Sequence, residues 1–70
     1  MSKVHSIGSP VSWKWGQGIA HGVIEEVFFE SVIRVIKGTK VTRNGTEDNP
    51  AYVIRQKDGT VVLKLHSELE

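Results

Sequence analysis

Along most of the chain, apolar residues alternate with polar ones instead of recurring every three or four positions. Residues 10–15 show this cleanly, with Val11, Trp13 and Trp15 on one face and Ser12 and Lys14 on the other. A period of two belongs to a β-strand, whose successive side chains point to opposite sides of a sheet. Gly16, Gln17 and Gly18 form a tight link to a longer extended run over residues 19–29. There Ile19, His21, Val23, Val27 and Phe29 fall on one face, and Ala20, Gly22, Ile24 and Phe28 on the other. Apolar residues on both faces predict a bend or bulge near Gly22, as in a strand that serves two sides of a curved sheet. A turn at Glu30 and Ser31 leads into a third, β-branched run over residues 32–37, which Gly38 stops.

Residues 39–49 carry the weakest pattern and are expected to be irregular. Asn44-Gly45 and Asp48-Asn49-Pro50 both read as turns, the latter capping the loop and aiming Tyr52. Extended structure resumes over residues 51–56, with Tyr52 and Ile54 opposite Val53. Asp58-Gly59 predicts a type I′ hairpin, which needs positive φ at both central residues. The return strand, residues 61–65, places Val61, Leu63 and Leu65 inward and Lys64 outward. Ser67 is positioned to cap a short terminal turn, and Leu69-Glu70 is also the kind of dipeptide that cloning leaves behind.

Composition reinforces the pattern. Val, Ile and Thr number 20 and Leu plus Ala only 5, a bias toward residues that fit a pleated sheet better than a helix. Seventy residues support one core, so the chain is expected to be a single domain over residues 1–70, ordered from about residue 7 to 69. About five short antiparallel strands, one long and bent, predict an all-β fold: a small, partly open SH3-like barrel with a short C-terminal turn. Trp13 and one of Phe28 and Phe29 are expected in its core. Trp15, beside Gly16, and Tyr52, after Pro50, are the rings expected at its rim.

Several strings resemble a known family. Trp13-Lys14-Trp15-Gly16-x-Gly18 with Ala20-x-Gly22 is similar to the opening of the hypervirulence-associated TUDOR-domain family. Lys37-Gly38, Val41-Thr42-Arg43-Asn44-Gly45, Glu47-Asp48-Asn49-Pro50-Ala51-Tyr52 and Leu63-Lys64-Leu65-His66-Ser67-Glu68-Leu69 extend the likeness from about Ile7 to Leu69. The departure is Gly8-Ser9-Pro10, where such domains usually read Gly-Asp and a variable residue. The resemblance implies a TUDOR-like barrel, no catalytic motif and no settled ligand.

Charge adds a local feature and no global one. Nine Lys and Arg against eight Asp and Glu leave a net charge of +1, too small to steer a polyanion by itself. Arg34, Lys37, Lys40 and Arg43, however, lie between Ser31 and Thr46 with no acid among them. If they converge, they form a patch for phosphate, and Trp15 or Tyr52 supplies a ring for stacking on a base. Arg34 and Lys37 would lie on opposite faces of a flat strand, so convergence requires the turn after Gly38. The plainer reading is a solvated strand edge whose lysines discourage association. Nucleic acid (RNA or single-stranded DNA) is therefore the first partner expected. A basic or methylated peptide held by an aromatic cage, or a nucleotide-like phosphorylated ligand, is the alternative.

Other chemistry finds no support in the residues. Without cysteine there is no disulfide, thiolate metal site or cysteine nucleophile. His5, His21 and His66 are too scattered for a metal motif, so no metal and no cofactor are expected. Glu25 and Glu26 are adjacent on a strand and point apart, which makes a poor acid–base pair. Gly16-x-Gly18-x-x-His21-Gly22 misses the dinucleotide fingerprint and precedes a strand where that fingerprint needs a helix. No catalytic residue is assigned, and enzyme activity is not expected. No apolar stretch is long enough to span a bilayer and the first residues lack the apolar stretch of a signal peptide, so a cytoplasmic monomer that works alone and avoids membranes is expected.

Overall fold

The β-branched runs all become strands. The computed structural model describes residues 4–70, and in them six strands follow one another: β1 Pro10–Trp15, β2 Gly18–Phe28, β3 Ser31–Ile36, β4 Thr39–Asn44, β5 Ala51–Arg55 and β6 Val61–Leu65. A single 3-10 turn, His66–Glu68, closes the chain. One antiparallel sheet has the order β1-β2-β5-β6, and β3 and β4 form a separate hairpin. The barrel is all-β and partly open, as the alternation predicts.

The long strand β2 carries the curvature. Its first half pairs with β1, from Gly18 opposite Trp15 to Val23 opposite Pro10. Its second half pairs with β5, from Val23 opposite Arg55 to Phe28 opposite Ala51. The register slips between Ile24 and Glu26, so the bulge falls a few residues beyond Gly22. Gly22 matters for a different reason, the closeness of the neighbouring strand. A Cβ there would stand 2.4 Å from Ile54 Cγ2 and 2.9 Å from the Arg55 carbonyl oxygen. Only a residue without a side chain lets β2 lie this close to β5 at the bend.

Because β5 is central, it is buried on both faces. Tyr52 and Ile54 pack with Val11, Trp13 and Ile24, and Leu69 of the terminal segment covers them. Ala51 and Val53 point the other way, to Leu63 of β6 and Val32 of the β3–β4 hairpin. Each large side chain buried so completely stabilises the fold by about 1.5–3 kcal/mol relative to leaving it wet.

Three local expectations are corrected. Residues 39–44 form a regular strand, paired with β3 from Thr39 opposite Ile36 to Asn44 opposite Ser31; the weak alternation of Thr39-Lys40-Val41-Thr42 hides a strand with one solvated face. The type I′ signature sits at that hairpin, where Lys37 has φ 50° and Gly38 φ 77°. At Asp58-Gly59 only Gly59 has positive φ. The Gly59 N–H donates to the Gln56 carbonyl and the Gln56 N–H to Thr60, so that turn is longer than two residues. Finally, Ser67 does not cap the terminal turn: the Glu68 carboxylate does, accepting the Leu65 N–H at 2.8 Å.

Tyr52 is the main correction among the site residues. It is fully buried, because its ring follows the inward alternation of β5, and Pro50 before it is buried too. Its phenol accepts the His5 N–H at 3.1 Å and meets His66 Nδ1 at 2.8 Å. The ring is a core element, not a rim platform.

Candidate ligand cleft at the barrel seam

Side chains of β1 and β6, the outer strands of the four-stranded sheet, border one open side of the barrel, its seam. One end of the seam is closed where the terminal segment crosses it and the Glu70 N–H donates to the Ser12 carbonyl of β1 at 2.8 Å. Further along lies a cleft of about 270 Å³. Its apolar walls are Trp13 and Ala20 from the β1–β2 hairpin, Val62 from β6 and Ile36 from β3. Its polar rim holds Lys37, Asp58 and Lys64, with Trp15 beside them. Three turns therefore border one concavity: Trp15 precedes the β1–β2 turn, Lys37 lies in the β3–β4 turn and Asp58 in the β5–β6 turn.

Trp15 is 72 % exposed while Trp13, two residues earlier on the same face, is 3 % exposed. The rim position expected for Trp15 is thus met, and Trp13 is core. The exposed indole is an unusual feature, because a large aromatic surface is costly to leave in water. Lys37 is unusual for its backbone. It is the one non-glycine residue with positive φ among those described, a conformation that costs an ordinary side chain roughly 1–2 kcal/mol. Strained residues of this kind gather at functional sites.

The four cations singled out by spacing do not form one patch, although Arg34 and Lys37 border a shared shallow concavity. Arg34 and Arg43 lie on the hairpin face that carries Val32 and Ile36, while Lys40, opposite Val35, lies on the other. Arg34 pairs with Glu26 at 3.3 Å and sits 5.0 Å over the Phe28 ring. Arg43 pairs with Glu68 at 2.9 Å. These two arginines already have anionic partners, and Lys64 has one as well, its Nζ lying 3.9 Å from Glu68 Oε2. Lys40 is exposed on the solvent face, and Lys37 alone of the four lines the cleft. Lys64 and Asp58 were missed: Lys64 reads as an ordinary outward residue, and Asp58 as an ordinary turn residue. Both become informative only when side chains of β6 and β1 are seen to line one cleft.

Two carboxylates are shifted. At Asp58 the Thr60 backbone N–H, bonded at 2.9 Å, lowers the carboxyl below its ordinary value of 3.8, with help from the Thr60 side chain and the Lys37 charge. Burial pushes the Glu68 carboxyl up, but the Leu65 N–H, Arg43 and Lys64 outweigh it and hold the group below its ordinary 4.5. Glu25 pairs with Arg55 and Glu26 with Arg34, so the two acids diverge as their adjacency predicts. His5 and His66, far apart in sequence, stand with ring centroids 5.2 Å apart. Among the described residues no group of three or more His, Cys, Asp or Glu is disposed to hold a metal.

The family model described as "Hypervirulence associated proteins TUDOR domain" matches residues 8–69. The chain belongs to that family. The match covers nearly the whole domain, including Trp15, Lys37, Asp58 and Lys64, whereas His5 lies outside it. No curated protein matches the chain, and no solved structure does. Membership in a TUDOR-domain family fits a binding module built on a small barrel. Among the described residues, no helix is long and apolar enough to cross a membrane.

Proposed function

We propose that this TUDOR-type domain is a non-catalytic module that holds a short segment of single-stranded nucleic acid, RNA or DNA, in the seam cleft. Trp15 stacks on one base, while Lys37 attracts a flanking phosphate and Lys64, shared with Glu68 at 3.9 Å, adds a weaker second cation. The observation that carries this reading is the exposed Trp15 indole on the rim of the same concavity as Lys37 and Lys64. Ring stacking contributes about 1–3 kcal/mol per base, and phosphate contacts add a salt-dependent term.

The cleft volume of about 270 Å³ lies just under the roughly 300 Å³ at which pockets for larger ligands begin, which suits a single base. An aromatic cage for a methylated cation is less well supported. Of the five Trp, Tyr and Phe residues, Tyr52, one of the two rings expected at the rim, is buried, as is Trp13. Phe28 lies under Arg34 and Phe29 beside Thr46 and Glu47, so Trp15 is the one exposed ring at the cleft.

The test is an amide NMR titration of labelled protein with a short mixed single-stranded RNA at low salt. Expected are salt-reversible shifts at the Trp15 indole, Lys37, residues 58–62 and Lys64. Silence at these positions, or shifts confined to the outer face around Lys40, overturns the reading; in that event a peptide is the next ligand to titrate.

A further inference from the structure

The rim of the cleft carries one acid among its cations, and phosphate attraction does not account for it. Asp58 borders the cleft with Trp15 and Lys37, yet a carboxylate beside a phosphate-binding lysine weakens a purely electrostatic site. Its geometry is fixed: Oδ1 accepts the Thr60 N–H at 2.9 Å, which orients the carboxylate plane within the turn. The group is ionised at neutral pH, since the Thr60 N–H and the neighbouring groups lower it below an ordinary value of 3.8. An ionised carboxylate accepts hydrogen bonds and cannot donate them, and it keeps lone pairs for further donors after one bond is made.

We propose that Asp58 makes the cleft selective for guanine, by accepting from the Watson–Crick edge of the base that Trp15 stacks. This inference rests on the nucleic-acid reading above and deepens it. The deciding feature is the donor pattern. Guanine presents two adjacent donors, N1–H and the N2 amino group, which match the two oxygens of one carboxylate. Adenine and cytosine present one amino group beside an unprotonated ring nitrogen, whose lone pair faces the carboxylate and repels it. Uracil presents a single N–H between two carbonyl oxygens, the least favourable pattern of the four. Carboxylates are used in this acceptor role when proteins read base edges. The placement supports it as well: the ring at the end of β1 and the carboxylate in the β5–β6 turn border one concavity. On this proposal a base lying on the ring turns its edge toward the β5–β6 turn, which borders the same cleft.

Four pentanucleotides of uridine, differing only in the central base, test the inference against the unmodified protein by NMR titration. The expected result is tightest binding for the guanine-centred strand, roughly fivefold or more over the all-uridine strand, the scale of one good bidentate base contact. The Asp58→Asn variant keeps an oxygen for the Thr60 N–H but replaces the other acceptor with an amino group. It is expected to lose the preference for guanine and to bind the other three strands at least as well as before. A melting curve of the variant checks that it folds. Equal binding of all four strands to the unmodified protein overturns guanine selection while leaving the nucleic-acid reading in place. Absence of binding to any strand overturns that reading itself. A guanine preference that survives Asp58→Asn overturns the assignment to Asp58.

Discussion

The two ends of the seam between β1 and β6 are built from the same two strands and finished in opposite ways. At the closed end the Glu70 N–H reaches the Ser12 carbonyl, and Leu69 covers the core. There the Tyr52 phenol lies between the His5 N–H and His66 Nδ1, and Glu68 holds the terminal turn to Arg43. At the open end an indole stands in solvent and the one strained non-glycine backbone among the described residues belongs to a lysine on the cleft rim. Trp13 and Trp15 share a strand and a face, so alternation alone gives them the same role. What separates them is cover: the terminal segment and the core reach Trp13 and end before Trp15. A small barrel can thus use one end of its seam for stability and leave the other for a ligand.

The tryptophans give the sharpest way to break this comparison. Trp13→Ala should lower unfolding free energy by about 3–5 kcal/mol, most of what a 70-residue domain holds in reserve. Trp15→Ala should change stability by no more than about 0.5 kcal/mol while removing the RNA-induced NMR shifts. Urea denaturation of the two variants compares them directly. Equal destabilisation would erase the distinction between the two ends.

Tyr52→Phe probes the closed end. It deletes the oxygen shared by His5 and His66, so it should cost about 1–3 kcal/mol and leave binding at the open end unchanged. Denaturation paired with the RNA titration reads both. Lys37→Gly probes the open end in the reverse sense. It relieves the positive φ and removes a cation, so the protein should gain roughly 1 kcal/mol and bind RNA more weakly. A variant that neither gained stability nor lost affinity would remove the functional meaning of the strain.

The smallest effect is one of pH. The folded state holds the Glu68 carboxyl below its ordinary 4.5. Its contribution to stability is therefore fully present above that value and is lost as pH falls through the folded-state pKa. Glu68→Gln should flatten the acid limb of the stability curve. Melting temperatures of both proteins between pH 6 and about pH 3 measure the difference, and parallel curves would place the acid sensitivity elsewhere.

Much of the barrel is legible in the chain. Period-two alternation marks β1, β5 and β6 nearly to the residue, and the two-faced run 19–29 foretells a strand shared between two halves of a curved sheet. The strand that escapes is β4, because Thr39, Lys40 and Thr42 present little apolar signal and its inward residues, Val41 and Arg43, are only half-buried. The dipeptide preference for a I′ turn is strongest at Asp58-Gly59, yet that turn forms at Lys37-Gly38, where strand pairing on both sides imposes it. Local preference names residues that tolerate a turn, whereas pairing decides which turn is made.

The candidate site is less legible for a similar reason. Trp15 and Lys37 stand out in sequence, one by its neighbouring glycine and the other by its place in a basic stretch. Tyr52 stands out similarly, by following Pro50, yet it lies in the core because β5 is covered on both faces. Arg34 and Arg43 belong to the same basic stretch, but Glu26 and Glu68 meet them from other elements. By itself the sequence determined five of the six strands, the bent central strand, the core tryptophan and the family, since each depends on the period or the order of nearby residues. Only the tertiary structure decided which cations are already paired, which ring stays wet, and that Asp58 and Lys64 border the same cleft as Trp15. Those facts depend on the packing that brings side chains of β1 and β6 to one cleft, a meeting of segments some fifty residues apart that no local pattern encodes.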